Sequence, residues 1–177
     1  MNLLKPELYQ AQALELFEAV SARISNALPH ARIEHVGSSA VPGAISRGDL
    51  DVCVIVPAEA FGTSLAEIER LGYRIKEDTL RTTQLCMLVP CCSHQDHAIQ
   101  LVEAGSRFEF FVTFRDALRT DPDVLRKYNE VKLASAGRGD DDYRKSKGEF
   151  IRGVLAAGHL QAIRGRLPED CLNKNPA

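Results

Sequence analysis

Two aspartates one residue apart, Asp49 and Asp51, stand ten residues after a small glycine-serine turn, Gly37-Ser38, in the stretch VGSSAVPGAISRGDLDV. A turn of small residues offers backbone N–H groups to a phosphate, and two close carboxylates offer oxygen to a hard cation. Phosphate and divalent metal at one place are the minimum equipment for phosphoryl or nucleotidyl transfer. If a strand starts at Asp49, residues i and i+2 share a face. Asp49 and Asp51 can then share one Mg2+ or Mn2+ ion, or two such ions a few ångströms apart, while Leu50 and Val52 turn into the core. The plainer reading is a strand edge that carries aspartates for solubility. The turn at Gly37, Ser38 and Ser39 weighs against it, as does Arg47, a cation inside the same loop.

Other residues with chemical potential are less ordered. His35 can act as a base for a hydroxyl, or can bond the loop beside it. Tyr128 and Tyr143 can stack on a base or pack in the core. Cys91, Cys92, His94 and His97 crowd one segment, as a thiol or metal hydrolase would require. The five cysteines include no C-x-x-C pair, however, and no second ligand pair is present for zinc. Free thiols are expected.

These residues need elements to hold them. Apolar positions at helical spacing predict a helix over 3–28, with Pro6 in its first turn. A short strand over 31–36 leads into the glycine loop. Leu50 to Val56 is a continuous apolar run ended by Pro57, suited to a central strand covered on both faces. A helix over 61–71 stops at Gly72. Strands follow over 73–78, 84–89 and 98–102, then helices over 107–119, 122–136 and 142–156. The order predicts an α+β domain over 1–157 and a polar tail over 158–177.

The totals set limits. At 177 residues, 45% hydrophobic and 26% charged, the chain fits one globular domain. A net charge of −2 gives no extended nucleic-acid surface. No apolar run suits a membrane span and no signal-peptide pattern opens the chain, so a cytoplasmic location is expected.

Glycine-serine, ten residues, then acid–hydrophobic–acid–hydrophobic resembles the signature of the nucleotidyltransferase (polymerase β-like) superfamily. The longer string IEHVGSSAVPG (33–43) resembles the GrpB-like family within it. The likeness continues through Val102-Glu103-Ala104-Gly105-Ser106, the segment 114–119, Tyr128 with Lys132, and the segment 143–150. It implies a small mixed sheet of the nucleotidyltransferase type with N-terminal and C-terminal helices. It also implies a nucleoside triphosphate as substrate and an unknown hydroxyl acceptor. The other activity the resemblance implies is that of a non-catalytic accessory module, as in fusions of this family to dephospho-CoA kinase. The C-terminal helices would pack beside the cleft, so Arg115, Lys132 and Lys147 are expected to bind nucleotide, with Lys145 a lesser candidate. The superfamily places a third carboxylate on a nearby strand. Asp96 is the expected third catalytic acid, with Glu103 the other candidate.

Two departures stand out. Asp49 falls where the family commonly has an apolar residue, which strengthens the metal reading. A family His-x-His falls here on Ala98-Ile99-Gln100.

Overall fold

The computed structural model describes residues 2–92, 97–137 and 139–164. Five strands form one mixed sheet: β1 (Arg32–Val36), β2 (Leu50–Val56), β3 (Tyr73–Ile75), β4 (Leu85–Pro90) and β5 (His97–Glu103), in the order β1-β2-β5-β4-β3. Only β2 and β5 run parallel; β1 pairs antiparallel with β2, β5 with β4, and β4 with β3. The helices are α1 (Gln10–Ala27), α2 (Phe61–Arg70), α3 (Phe110–Thr120), α4 (Pro122–Ser135) and α5 (Asp140–Arg164). This is the expected α+β arrangement of a small mixed sheet with an N-terminal helix and C-terminal helices. No helix among the described residues is long and apolar enough to cross a membrane.

The unbroken apolar run of β2 is explained by burial on both faces. Leu50, Val52, Val54 and Val56 join Ile99 and Leu101 against α1 and α2, where Val20, Ile24 and Ile68 are buried. Cys53 and Ile55 face the other way, with Val36, Val102 and Phe108. A third cluster ties the loop after β1 to the C-terminal helices, through Val41, Ala44, Phe114, Leu118 and Tyr128, with Phe150 and Val154 of α5 alongside. Local signals set the boundaries. Gly72 ends α2 at a positive φ of 91°. Asp121 caps α4 by accepting from the N–H groups of Asp123 (2.9 Å) and Val124 (3.2 Å), with Pro122 in the first turn.

Three expectations shift. The helix predicted from residue 3 begins at Gln10, because Pro6–Leu8 is a separate 3-10 turn and Leu4 bridges Ser46 by backbone hydrogen bonds of 2.6 and 3.2 Å. The strand predicted over 73–78 ends at Ile75. Helix α5 continues to Arg164, through the start of the predicted tail, and positions 165–177 lie outside the described residues.

Candidate active site

The glycine loop, residues 37–48, is fastened by its carbonyls. Tyr9 donates its hydroxyl toward the Ala44 carbonyl (2.8 Å) and the Ser38 carbonyl (3.3 Å), and Gln10 donates to Val41 (2.5 Å). Arg119 donates twice to Ala40 (2.9 and 2.7 Å). Asn129 donates to Gly43 (2.9 Å) and accepts from the N–H of Ile45 (3.0 Å). Lys132 sits beneath the turn, 1% exposed. Its ammonium donates to Ser38 Oγ (3.1 Å) and to the Ile45 carbonyl, and lies 4.2 Å from the Tyr128 ring centre. Burial, with Lys147 adding, pulls its pKa down to about 7. The carbonyl and the ring favour the ammonium form. On the α1 side, His35 stacks on Phe17 (4.7 Å between centroids), and its Nε2 lies 3.0 Å from Ser39 Oγ. Burial, with Arg119 and Arg115 adding, lowers its pKa to about 4, so the imidazole is neutral. The contact to Ser39 is the loop-bonding role expected for His35.

Asp51 lies where β1 ends. It is paired across the sheet with Val36 on one side and Ala98 on the other. Its carboxylate occupies the space a side chain at Gly37 would take. A Cβ there would lie 3.0 Å from Asp51 Cβ and Cγ and closer still to Oδ2, and Gly37 has φ +71°. Glycine is thus required twice over, for conformation and for room. Burial, then repulsion from Asp49, lifts the Asp51 carboxyl to about 6, against the pull of Lys147, Gln100 and Arg47. Asp49 accepts from Ser46 Oγ (3.3 Å) and lies 3.6 Å from Arg47 Nη2.

Both acids line a cavity of about 470 Å³ shared with Arg47, Lys76, Arg144 and Lys147. Four cations face two carboxylates, so the lining suits an anion bound together with a cation. Tyr128 chiefly, with Asp51, Tyr143 and Asp49 adding, keeps Lys147 charged by raising its pKa against the effect of burial.

The expected residues divide clearly. Arg47, Asp49, Asp51 and Lys147 line this cavity and Gly37 abuts Asp51, while Ser38 bonds Lys132 beneath the turn and Ser39 bonds His35. Arg115 does not join them. It is buried against β1, donating to Glu34 (2.6 Å), to the His35 carbonyl (2.9 Å) and to Asp116 (2.8 Å). Lys145 is exposed. Glu103 sits at the far end of β5, beside Val56, where it accepts from Gln84 (3.0 Å). Asp96 and His94 lie outside the described residues.

Cys53 and Cys86 are buried free thiols, and Cys91 and Cys92 are exposed ones. His97 lies 2.9 Å from the Tyr73 hydroxyl. Gln100 was missed as a site residue. It is 2% exposed and donates Nε2 to Asp51 Oδ1 (2.9 Å), while its Oε1 is buried without a hydrogen-bond partner. The alternation of β5 alone, counted from the position beside Asp51, places residue 100 on that face.

The model of the GrpB protein family matches residues 7–157. A UPF0157 protein of Vibrio cholerae is 43% identical over 88% of this chain and 82% of its own length. The crystal structure of the conserved protein GrpB from Enterococcus faecalis superposes with a TM-score of 0.65 at 24% identity, over 87% of this chain and 99% of that one, and so has the same fold. A cytoplasmic RNA terminal U-transferase superposes at a TM-score of 0.44 and 14% identity over 71% of this chain and 41% of its own, too loosely to bear on activity.

Proposed function

The chain belongs to the GrpB family, and from that premise we propose that it is a metal-dependent nucleotidyltransferase. It would move a nucleoside monophosphate from a nucleoside triphosphate to the hydroxyl of a small acceptor. The observation that carries this reading is the seating of the Asp51 carboxylate against Gly37, in a cavity shared with Asp49, Arg47 and Lys147.

Among the described residues no three His, Cys, Asp or Glu side chains converge as a metal cage. That excludes a closed zinc-type site among them but suits Mg2+ or Mn2+. Magnesium takes one or two carboxylates and completes its shell with water and phosphate oxygen. Asp49 and Asp51 would hold the ion, which neutralises phosphate charge when bound. The turn at Gly37, Ser38 and Ser39 would orient the β- and γ-phosphates. Arg47 and Lys147 would balance the charge that develops on the leaving group. The acceptor hydroxyl oxygen would bond to the α-phosphorus and give its proton to solvent, while the bond from that phosphorus to the bridging oxygen breaks and pyrophosphate leaves. The net charge of −2, with no extended basic surface, supports a small acceptor over a polymer.

Replacing Asp51→Asn should abolish Mg2+-dependent binding of nucleoside triphosphate, measured by calorimetry. Binding that survives unchanged in the variant, or that ignores Mg2+ in the wild type, overturns the reading. One observation favours a second reading, a nucleotide-binding accessory module: Gln100, a neutral side chain, occupies the neighbouring strand beside Asp51 and engages one of its oxygens. Tight Mg2+–nucleotide binding without pyrophosphate release across a panel of hydroxyl acceptors would select it.

A further inference from the structure

We propose that Gln100 is the third oxygen ligand of the cation held by Asp49 and Asp51, its amide carbonyl serving in place of a third carboxylate. The inference rests on the metal reading above.

The sheet supplies the placement. Asp51 pairs with Ala98 across the parallel β2–β5 ladder, and Gln100 follows two residues later on the same face. Its Nε2 reaches Asp51 Oδ1 at 2.9 Å. The other end of the same amide is anomalous. Gln100 is 2% exposed, and Oε1 is the one buried side-chain oxygen or nitrogen among the described residues that lacks a hydrogen-bond partner. A buried carbonyl without a partner forfeits its hydration with nothing in return, so such atoms are rare and usually await a ligand, an ion or a water. Here the orphan sits on the amide already bonded to an acid of the site.

The amide can serve both states. Without a cation, the Asp51 carboxylate selects the N–H end of Gln100, because two oxygens face to face repel. With a cation on Asp51, a half-turn of the terminal torsion, which is broad and nearly two-fold, would turn Oε1 to the side where Nε2 now meets Asp51 Oδ1. The donor set is then two carboxylates and one neutral carbonyl. Its formal charge of −2 matches one divalent ion, whereas three carboxylates would better suit a pair of ions. A single ion per chain is therefore expected.

The alternative is that Gln100 only donates to Asp51. The two roles separate in Gln100→Glu. Losing a donor that only orients Asp51 would weaken cation binding in either variant. A ligand exchanged for a carboxylate gains charge, so binding should tighten in Gln100→Glu.

The test is Mn2+ binding to the nucleotide-free protein, followed by electron paramagnetic resonance of the free ion, for wild type, Gln100→Met, Gln100→Glu and Asp51→Asn. Melting curves without metal confirm that each variant folds, and the near-isosteric Gln100→Glu keeps the test valid if Gln100→Met does not fold. Expected are one Mn2+ per wild-type chain, affinity weakened roughly tenfold in Gln100→Met, and affinity strengthened by a similar factor in Gln100→Glu as ligand charge rises. Unchanged or tighter binding in Gln100→Met, or unchanged or weaker binding in Gln100→Glu, overturns the role of Gln100 while leaving the Asp51 site standing. Absence of Mn2+ binding in the wild type, both without and with nucleoside triphosphate, overturns both together.

Discussion

The glycine loop and the acid cavity adjoin, yet they are held in opposite ways. In the loop, six side chains from β1, α3, α4 and the start of α1 hold the chain: Tyr9, Gln10, Arg119, Asn129 and Lys132 bond its carbonyls, and His35 bonds the Ser39 hydroxyl. In the cavity, Asp51 carries a carboxyl raised to about 6 beside a second acid, and Gln100 keeps an unpaired oxygen. One region is over-determined and the other is electrostatically incomplete. A rigid frame around an unsatisfied centre is what a binding site for a cation and an anion requires, because preorganised groups need not reorganise when the ligand arrives. The contrast also separates residues of similar type: Lys132 belongs to the frame and Lys147 to the cavity.

The largest effect should come where the two regions touch. Gly37→Ala places a methyl group on the Asp51 carboxylate at a backbone angle alanine resists. We expect a loss of about 3–5 kcal/mol in stability and no detectable nucleotide binding. Gly43→Ala is the matched control. Its φ is +81°, but the nearest atom to a new Cβ is Leu125 Cδ2 at 3.6 Å, so the cost should fall to about 1 kcal/mol. Denaturant melts of the two variants measure the difference. Equal costs would show that the Asp51 contact adds nothing to the frame.

Lys132→Met should have a smaller and more selective effect. Removing a buried ammonium relieves its desolvation but leaves Ser38 Oγ and the Ile45 carbonyl without their donor, at about 1–3 kcal/mol each. These terms oppose, so the melting temperature should shift by only a few degrees. A loosened turn should nevertheless weaken nucleotide affinity roughly tenfold, as calorimetry would detect. Unchanged affinity would mean the turn keeps its shape without Lys132.

Much of the cavity was legible in the sequence. An apolar run preceded by alternating acids specifies a buried strand with its carboxylates at one end, and a glycine before small residues specifies a tight exit from β1. What stayed hidden were partnerships made by the fold. Arg115 on a helix looks like any solvated cation until Glu34, 81 residues away, meets it. Gln100 read as a missing histidine, because its meaning comes from Asp51 on the next strand. Helix α5 runs past Gly158, where the polar tail was expected to begin.

The subtlest expectation concerns pH. Asp51 in the frame-and-cavity arrangement titrates near 6 instead of 3.8, so between those values the folded state binds more protons than the unfolded chain, and stability falls as pH rises. His35 titrates near 4 instead of 6.5, so across nearly the same window the folded state binds fewer protons, and stability rises with pH. Each shift corresponds to about 3 kcal/mol when complete. The loop and the cavity therefore offset each other, and the wild-type contribution of this pair should be nearly flat from pH 4 to 6. Asp51→Asn removes the falling component, so its stability relative to wild type should grow by about 2–3 kcal/mol across that window and then hold constant. His35→Gln also loses the contacts to Ser39 and Phe17, but that loss is a constant offset and leaves the slope to report the imidazole alone. Its stability relative to wild type should decline with rising pH, opposite in sign to Asp51→Asn. Melting temperatures at half-unit pH steps for the three proteins measure both slopes. Parallel slopes would mean that at least one of the two groups keeps its ordinary titration, and that the division between frame and cavity does not extend to their protons.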